Sequence, residues 1–189
     1  MNLPDVLHFL IVEDQVSDSF LLQRQLKKIC AYPEIRFVDS EISLVNALKT
    51  YIPDMVLTDF NLVGMNAFDV IKIAKNYNAK IPVVVITGNL KYEADREKLL
   101  ECGAEGFFLK EPINTLNERM QPLFHTIIET HKEQLGKIRN ERRKYDSSKS
   151  QSDFLREYTF GENQEDNEEK EETKENTSFF DKIIQIFKR

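Results

Sequence analysis

The chain has 189 residues, 41% of them hydrophobic, and a formal charge of −6, which suits one real core with extras or two very small domains. No global basic surplus argues for a nucleic-acid binder. Its two cysteines, Cys30 and Cys102, lie far apart with no C-x-x-C or histidine cluster beside them, so a zinc site is not expected and a reduced, cytoplasmic setting is.

The opening MNLPDVLHFLIVED has no basic region before its short apolar run and is not read as a signal peptide. No stretch approaches the ~18 apolar residues of a membrane span. Leu7 to Val12 is a strand candidate, and Ser17 to Ile29 a helix with Phe20, Leu21, Leu22, Leu26 and Ile29 at helical spacing. Ile35 to Val38 reads as a second strand and Ser43 to Leu48 as part of a second helix. Met55 to Thr58 is the third strand, Ala67 to Ala74 a helix, and Ile81 to Thr87 a β-branched run of the kind buried on both faces of a parallel sheet. Tyr92 to Cys102 is helical and stops at Gly103, Gly106 to Leu109 is the fifth strand, and another helix starts near Asn114. Five βα units in a row predict a doubly wound parallel sheet.

Such sheets bind ligands at the carboxyl ends of their strands. Glu13 and Asp14 end the first strand, Asp59 the third, Thr87 the fourth and Lys110 the fifth. Singly, each has an ordinary reading: Asp14 could cap a helix, Thr87 before Gly88 could be turn chemistry, and Lys110 could be solvated surface. Five together on one rim are a site. Crowded carboxylates repel, and a hard divalent cation such as Mg2+ relieves that repulsion. One acid then remains as a nucleophile toward phosphorus, with metal, lysine and hydroxyl to meet the developing charge.

The motifs FLIVEDQ, MVLTDFNLVGM, VVVITGN and GAEGFFLKEP occur in the order and spacing of one family. Residues 1–125 resemble the receiver domain of bacterial two-component response regulators, of the chemotaxis type. The resemblance implies a flavodoxin-like fold with strand order 2-1-3-4-5 and a phosphoprotein of a phosphorelay, not an enzyme with its own substrate. It implies that Asp59 is the phosphoacceptor. It also implies a Mg2+ site of Asp14, Asp59, the backbone carbonyl of Asn61 and, through water, Glu13. Thr87 and Lys110 would touch the phosphoryl group, and Phe107 falls at the aromatic switch position, where plain core is the other reading. A histidine kinase or a histidine phosphotransfer protein is the implied donor. Three positions depart from the family pattern: Glu111 separates Lys110 from Pro112, Val63 stands where proline is frequent, and Ala67 where glycine is.

Beyond the receiver the last helix is expected to continue through residues 126–146. There Ile128, His131, Leu135, Ile138, Arg142 and Tyr145 follow a 3-4 spacing that would pair two copies as a coiled coil. His131, Gly136 and Arg142 speak against that seam. The basic run Arg139 to Lys144 reads as a solvated face or, in the rival reading of a transcription regulator, as a DNA contact. Residues 147–177 read as a flexible acidic tether, since eight acids against two lysines between Gly161 and Thr177 hold the whole net charge. Residues 178–189 carry Phe179, Phe180, Ile183, Ile184 and Phe187 as one apolar stripe. That helix is expected to dock on an output protein or on its own receiver, with a membrane surface second. No DNA-binding or catalytic output unit is legible after residue 125. The leading expectation is therefore a response regulator signalling through protein–protein contacts, against a transcription regulator or a phosphorylation-independent pseudo-receiver.

Overall fold

The computed structural model describes residues 3–88 and 93–159. The chain divides into two compact units, Met1–Arg142 and Arg143–Arg189. In the first, strands β1 (Val6–Val12), β2 (Tyr32–Val38), β3 (Met55–Thr58), β4 (Val83–Thr87) and β5 (Gly106–Leu109) form one sheet in the order β2-β1-β3-β4-β5, every pair parallel. Helices α1 (Val16–Ile29), α2 (Glu41–Thr50), α3 (Ala67–Tyr77), α4 (Glu93–Glu101) and α5 (Leu116–Thr130) alternate with the strands, and α6 (Lys132–Thr159) follows.

Strand composition explains the layering. All five residues of β4 are buried, as the unbroken β-branched run requires of a central strand covered on both faces. On one face, Phe9, Ile11, Leu57, Val84 and Ile86 meet Leu22 and Leu26 of α1 and Leu116, Met120 and Phe124 of α5. Phe9 and Phe124 stack at 5.9 Å, and this cluster joins β1 to α5 across the middle of the sheet. The helices α2 and α3 pack on one another and bury Leu44, Leu48, Val70 and Ile71. At Gly106 a Cβ would stand 2.2 Å from Leu123 Cδ2, so any larger residue there would make the Leu123 side chain of α5 shift. Asn66 caps α3 by accepting from the backbone N–H of Phe68 and Asp69, which fixes the exit of the loop carrying Asn61.

The extension departs from the expected single helix. The chain breaks at His131, the C-cap of α5, and restarts as α6. Three of the expected seam residues, Leu135, Ile138 and Arg142, are buried inside the first unit, and Ile128 packs against its core. These side chains are spent on the chain's own receiver, which corrects the coiled-coil reading. Arg142 is the clearest case. Its Nε and Nη2 donate to the carbonyl of Ile52 at 3.0 and 2.6 Å, its Nη2 to Asp54 Oδ1 at 3.0 Å, and its Nη1 lies 2.9 Å from His8 Nδ1. Ile52 has φ of 52°, a strained conformation for a β-branched residue, and it turns that carbonyl toward the guanidinium. The helix α6 runs on to Thr159, so residues 147–159, read as tether, are helical. The terminal stripe at 178–189 and residues 160–177 lie outside the described residues.

Candidate functional site

Sheet register delivers the site residues to one end. Val12 pairs with Thr58, so Glu13 and Asp59 emerge side by side, and the Asp59 N–H donates to the Val12 carbonyl at 3.1 Å. Thr87 pairs with Leu109, and the next residue, Lys110, donates its N–H to the Thr87 carbonyl at 2.7 Å. Glu13, Asp59, Thr87 and Lys110 are all buried. Asp14 does not cap α1: the N-cap is Gln15, without a side-chain hydrogen bond. Asp14 Oδ2 instead accepts the N–H of Val63 at 3.1 Å, across from the loop after β3. A proline at position 63 would have no such donor.

Lys110 is the centre of charge. Its Nζ donates to Glu13 Oε2 at 2.7 Å and to Asp18 Oδ2 at 2.5 Å, and stands 3.3 Å from Asp59 Oδ1. Burial alone would lower the pKa of this ammonium, but Asp18 and Glu13 outweigh it and hold the group above its ordinary value. Burial pushes the Glu13 carboxyl up to about 7, against the opposing pull of Lys110. The cis peptide bond of the following loop is Glu111–Pro112. The extra residue Glu111 therefore moves the proline one place on, and Lys110 keeps its position at the strand end.

Two buried oxygens, Asp14 Oδ1 and Asp59 Oδ1, have no hydrogen-bond partner among the described residues. Buried carboxylate oxygens are costly to leave so, and a pair of them matches the one or two carboxylates that Mg2+ takes beside its waters. Among the described residues no group of three or more His, Cys, Asp or Glu side chains is placed to hold a metal ion. Glu13 is the acid missing from such a group, because both of its oxygens are engaged: Oε2 by Lys110 and Oε1 by the Gln15 N–H at 3.1 Å. Asn61 lies in a two-residue antiparallel ladder with Asn66, and its N–H donates to Asp59 Oδ2 at 3.2 Å. That ladder turns at Gly64, whose φ of 81° a side chain would resist. Phe107 is half-buried on β5, level with Val85.

The rim residues named from sequence thus fall at one end of the sheet, and the residue that sequence reasoning missed is Asp18. It lies in the first turn of α1, where an acid is expected simply to offset the helix dipole.

Comparison with known proteins agrees with this geometry. The response regulator receiver domain family matches residues 9–121. The sensor protein EvgS of Escherichia coli K12 is 26% identical over 138 residues, which are 73% of this chain and 10% of that protein. The chain thus spans about a tenth of the length of the sensor protein it matches. The chemotaxis protein CheY-3 of Vibrio cholerae is 27% identical over 124 residues, 62% of this chain and 92% of that one. A response regulator solved in its Mn2+-bound form superposes with a TM-score of 0.52 at 26% identity, over 64% of this chain and 91% of that one. No helix among the described residues is long and apolar enough to cross a membrane. With a buried, partly unpartnered aspartate at the end of the third strand and a lysine beside it, the chain belongs to the response regulator receiver domain family.

Proposed function

We propose that this protein accepts a phosphoryl group on Asp59 from a histidine kinase or histidine phosphotransfer protein. The observation that carries the reading is Asp59 itself: a buried carboxylate whose Oδ1 has no hydrogen bond among the described residues and stands 3.3 Å from the Lys110 ammonium. In the transfer, an oxygen of Asp59 forms a bond to phosphorus as the bond from phosphorus to the donor nitrogen breaks. The electron pair of that bond stays on the donor imidazole. Lys110 offsets charge on the phosphoryl oxygens and Thr87 offers its hydroxyl to them, while Phe107 is the residue placed to report the change on β5. Asp14, Asp59 and the Asn61 carbonyl would hold Mg2+, with Glu13 through water. When bound, the ion supplies charge neutralisation and orientation of the phosphoryl group. The protein acts in the cytoplasm as a signalling component, not as an enzyme with a substrate of its own, and its output runs through protein–protein contacts of the C-terminal extension. Burial of Arg142 removes one cation from the basic run, which weakens the DNA-binding alternative.

The test is labelling of the full chain with a small phosphodonor and Mg2+. One acid-stable, base-labile phosphoryl group per chain is expected, and none in Asp59→Asn, because an amide is no nucleophile. Undiminished labelling of that variant would place the acceptor elsewhere.

A further inference from the structure

The ammonium of Lys110 makes its shortest contact with a residue outside the expected set. Three carboxylates surround it: Asp18 at 2.5 Å, Glu13 at 2.7 Å and Asp59 at 3.3 Å. An ammonium has three protons to give, and the two short contacts go to Asp18 and Glu13. Asp59 Oδ1 is left without a hydrogen bond despite its nearness.

Asp18 is free to play this part. Its side chain is 25% exposed where that of Glu13 is 1% exposed, so its presence is not forced by packing. The only other polar contact of its carboxylate among the described residues is the Ser17 hydroxyl at 3.4 Å, beyond good hydrogen-bond length. Glu13 is tied on both oxygens, and Asp18 only on one.

We propose that Asp18 is a positioning residue that holds Lys110 back from Asp59 and so opposes the phosphorylated state. A phosphoryl group on Asp59 adds strongly negative oxygens that call for the same ammonium. Lys110 then loosens its hold on Asp18 to reach them, leaving a carboxylate near the new charge with less of its counter-ion. Both effects raise the free energy of the phosphorylated form relative to a receiver without this acid. The balance between the two states is thereby set from α1, outside the metal and phosphoryl contacts.

This inference rests on the reading of Asp59 as acceptor, and the experiment separates the two. The full chain and its Asp18→Asn, Asp18→Glu and Asp59→Asn variants are titrated calorimetrically with beryllium fluoride, a phosphoryl analogue, at saturating Mg2+. Asp18→Asn should bind roughly fourfold more tightly than the parent, the effect of one charge about 5 Å away in a water-like dielectric. Asp18→Glu, which restores the charge, should return the affinity to the parental value. Labelling with a small phosphodonor is run beside it, and KM for the anionic donor should fall in Asp18→Asn more than the limiting rate changes. A role confined to the N-terminus of α1 would lower the melting temperature of Asp18→Asn and leave the affinity unmoved, and that result overturns the proposal. If Asp59→Asn still binds or labels, the acceptor reading itself fails. If the parent labels on Asp59 while Asp18→Asn and Asp18→Glu both match it in affinity and KM, this inference alone is lost.

Discussion

The two ends of the same sheet bury charge in opposite ways. At the amino end, Arg142, Asp54 and His8 form a set in which the arginine has a Coulombic partner and carbonyl acceptors. The Asp54 oxygens take Arg142 Nη2 at 3.0 Å and the backbone N–H of His8 at 2.9 Å. Burial would raise the Asp54 carboxyl, yet the His8 hydrogen bond and the Arg142 charge outweigh it and hold the pKa below its ordinary value. At the carboxyl end, Glu13, Asp18 and Asp59 share one ammonium with Asp14 beside them, and among the described residues the Asp14 and Asp59 Oδ1 atoms have no hydrogen bond. One cluster meets its own charge and hydrogen-bonding demand, and ties Arg142 of α6 to the sheet. The other carries surplus negative charge that only an added cation relieves. Burial alone does not mark a functional site; unmet demand for a partner does.

The largest expected effect comes from opening the satisfied end. Arg142→Ala leaves buried Asp54 with only the longer Arg139 contact at 3.8 Å and the Ile52 carbonyl without its donors, a loss of about 3 kcal/mol, the lower end of the scale for broken buried pairs. Denaturant unfolding of the full chain reads it. The double variant Arg142→Met with Asp54→Asn should recover part of that loss, since replacing a pair costs less than halving one. If Arg142→Ala unfolds like the parent, the clasp is ornamental and the two ends do not differ as described.

Opening the unsatisfied end should act with the opposite sign. Asp59→Asn removes one of the three acids around a single lysine, and in metal-free buffer the variant should be more stable than the parent by about 1 kcal/mol, the scale of one relieved like-charge contact in a water-like dielectric. Thermal unfolding in chelator, then with Mg2+, measures both halves of the effect. The parent should gain from the metal and the variant much less. A destabilised Asp59→Asn in chelator would mean that the aspartate is held by its contacts to Lys110 and the Asn61 N–H, and not strained by its neighbours.

The same contrast explains what was legible in the sequence. The spans of β3 and β5 and the rim acids could be read because β-branched runs end abruptly in polar residues, and strand ends in a parallel sheet share one edge. The role of Arg142 could not be read: its spacing sets it in one stripe with Leu135 and Ile138, but only the fold shows that the stripe faces the receiver and that the guanidinium meets Ile52 and Asp54. The break at His131 was hidden because neither glycine nor proline marks it, while Gly136, the apparent breaker, sits inside α6. Residues 147–159 read as tether on composition, yet their lysine, glutamate and arginine are good helix formers. The contacts of Glu13 with Lys110 and the Gln15 N–H could not be read either, because sequence shows only that an acid ends the strand.

The smallest expected effect tests how the unsatisfied end is shaped by its loop. Val63 is exposed, and its backbone N–H is the one described donor to Asp14. Val63→Pro removes that donor. Proline also stiffens the turn before Gly64, where the chain already bends, and such restriction stabilises by about 0.4–1 kcal/mol through the unfolded state. Loss of one hydrogen bond to a half-exposed carboxylate costs about as much, so unfolding free energies of variant and parent should agree within about 1 kcal/mol. Metal binding is the more informative reading. An N–H on Asp14 Oδ2 competes with a cation for the same carboxylate charge, so its removal should tighten Mg2+ binding by roughly threefold, about half the worth of a hydrogen bond. Calorimetric titration of the full chain with Mg2+ decides the sign. Weaker binding in the proline variant would show that the Val63 N–H aims Asp14 at the ion, making the loop a support of the metal site and not a competitor for it.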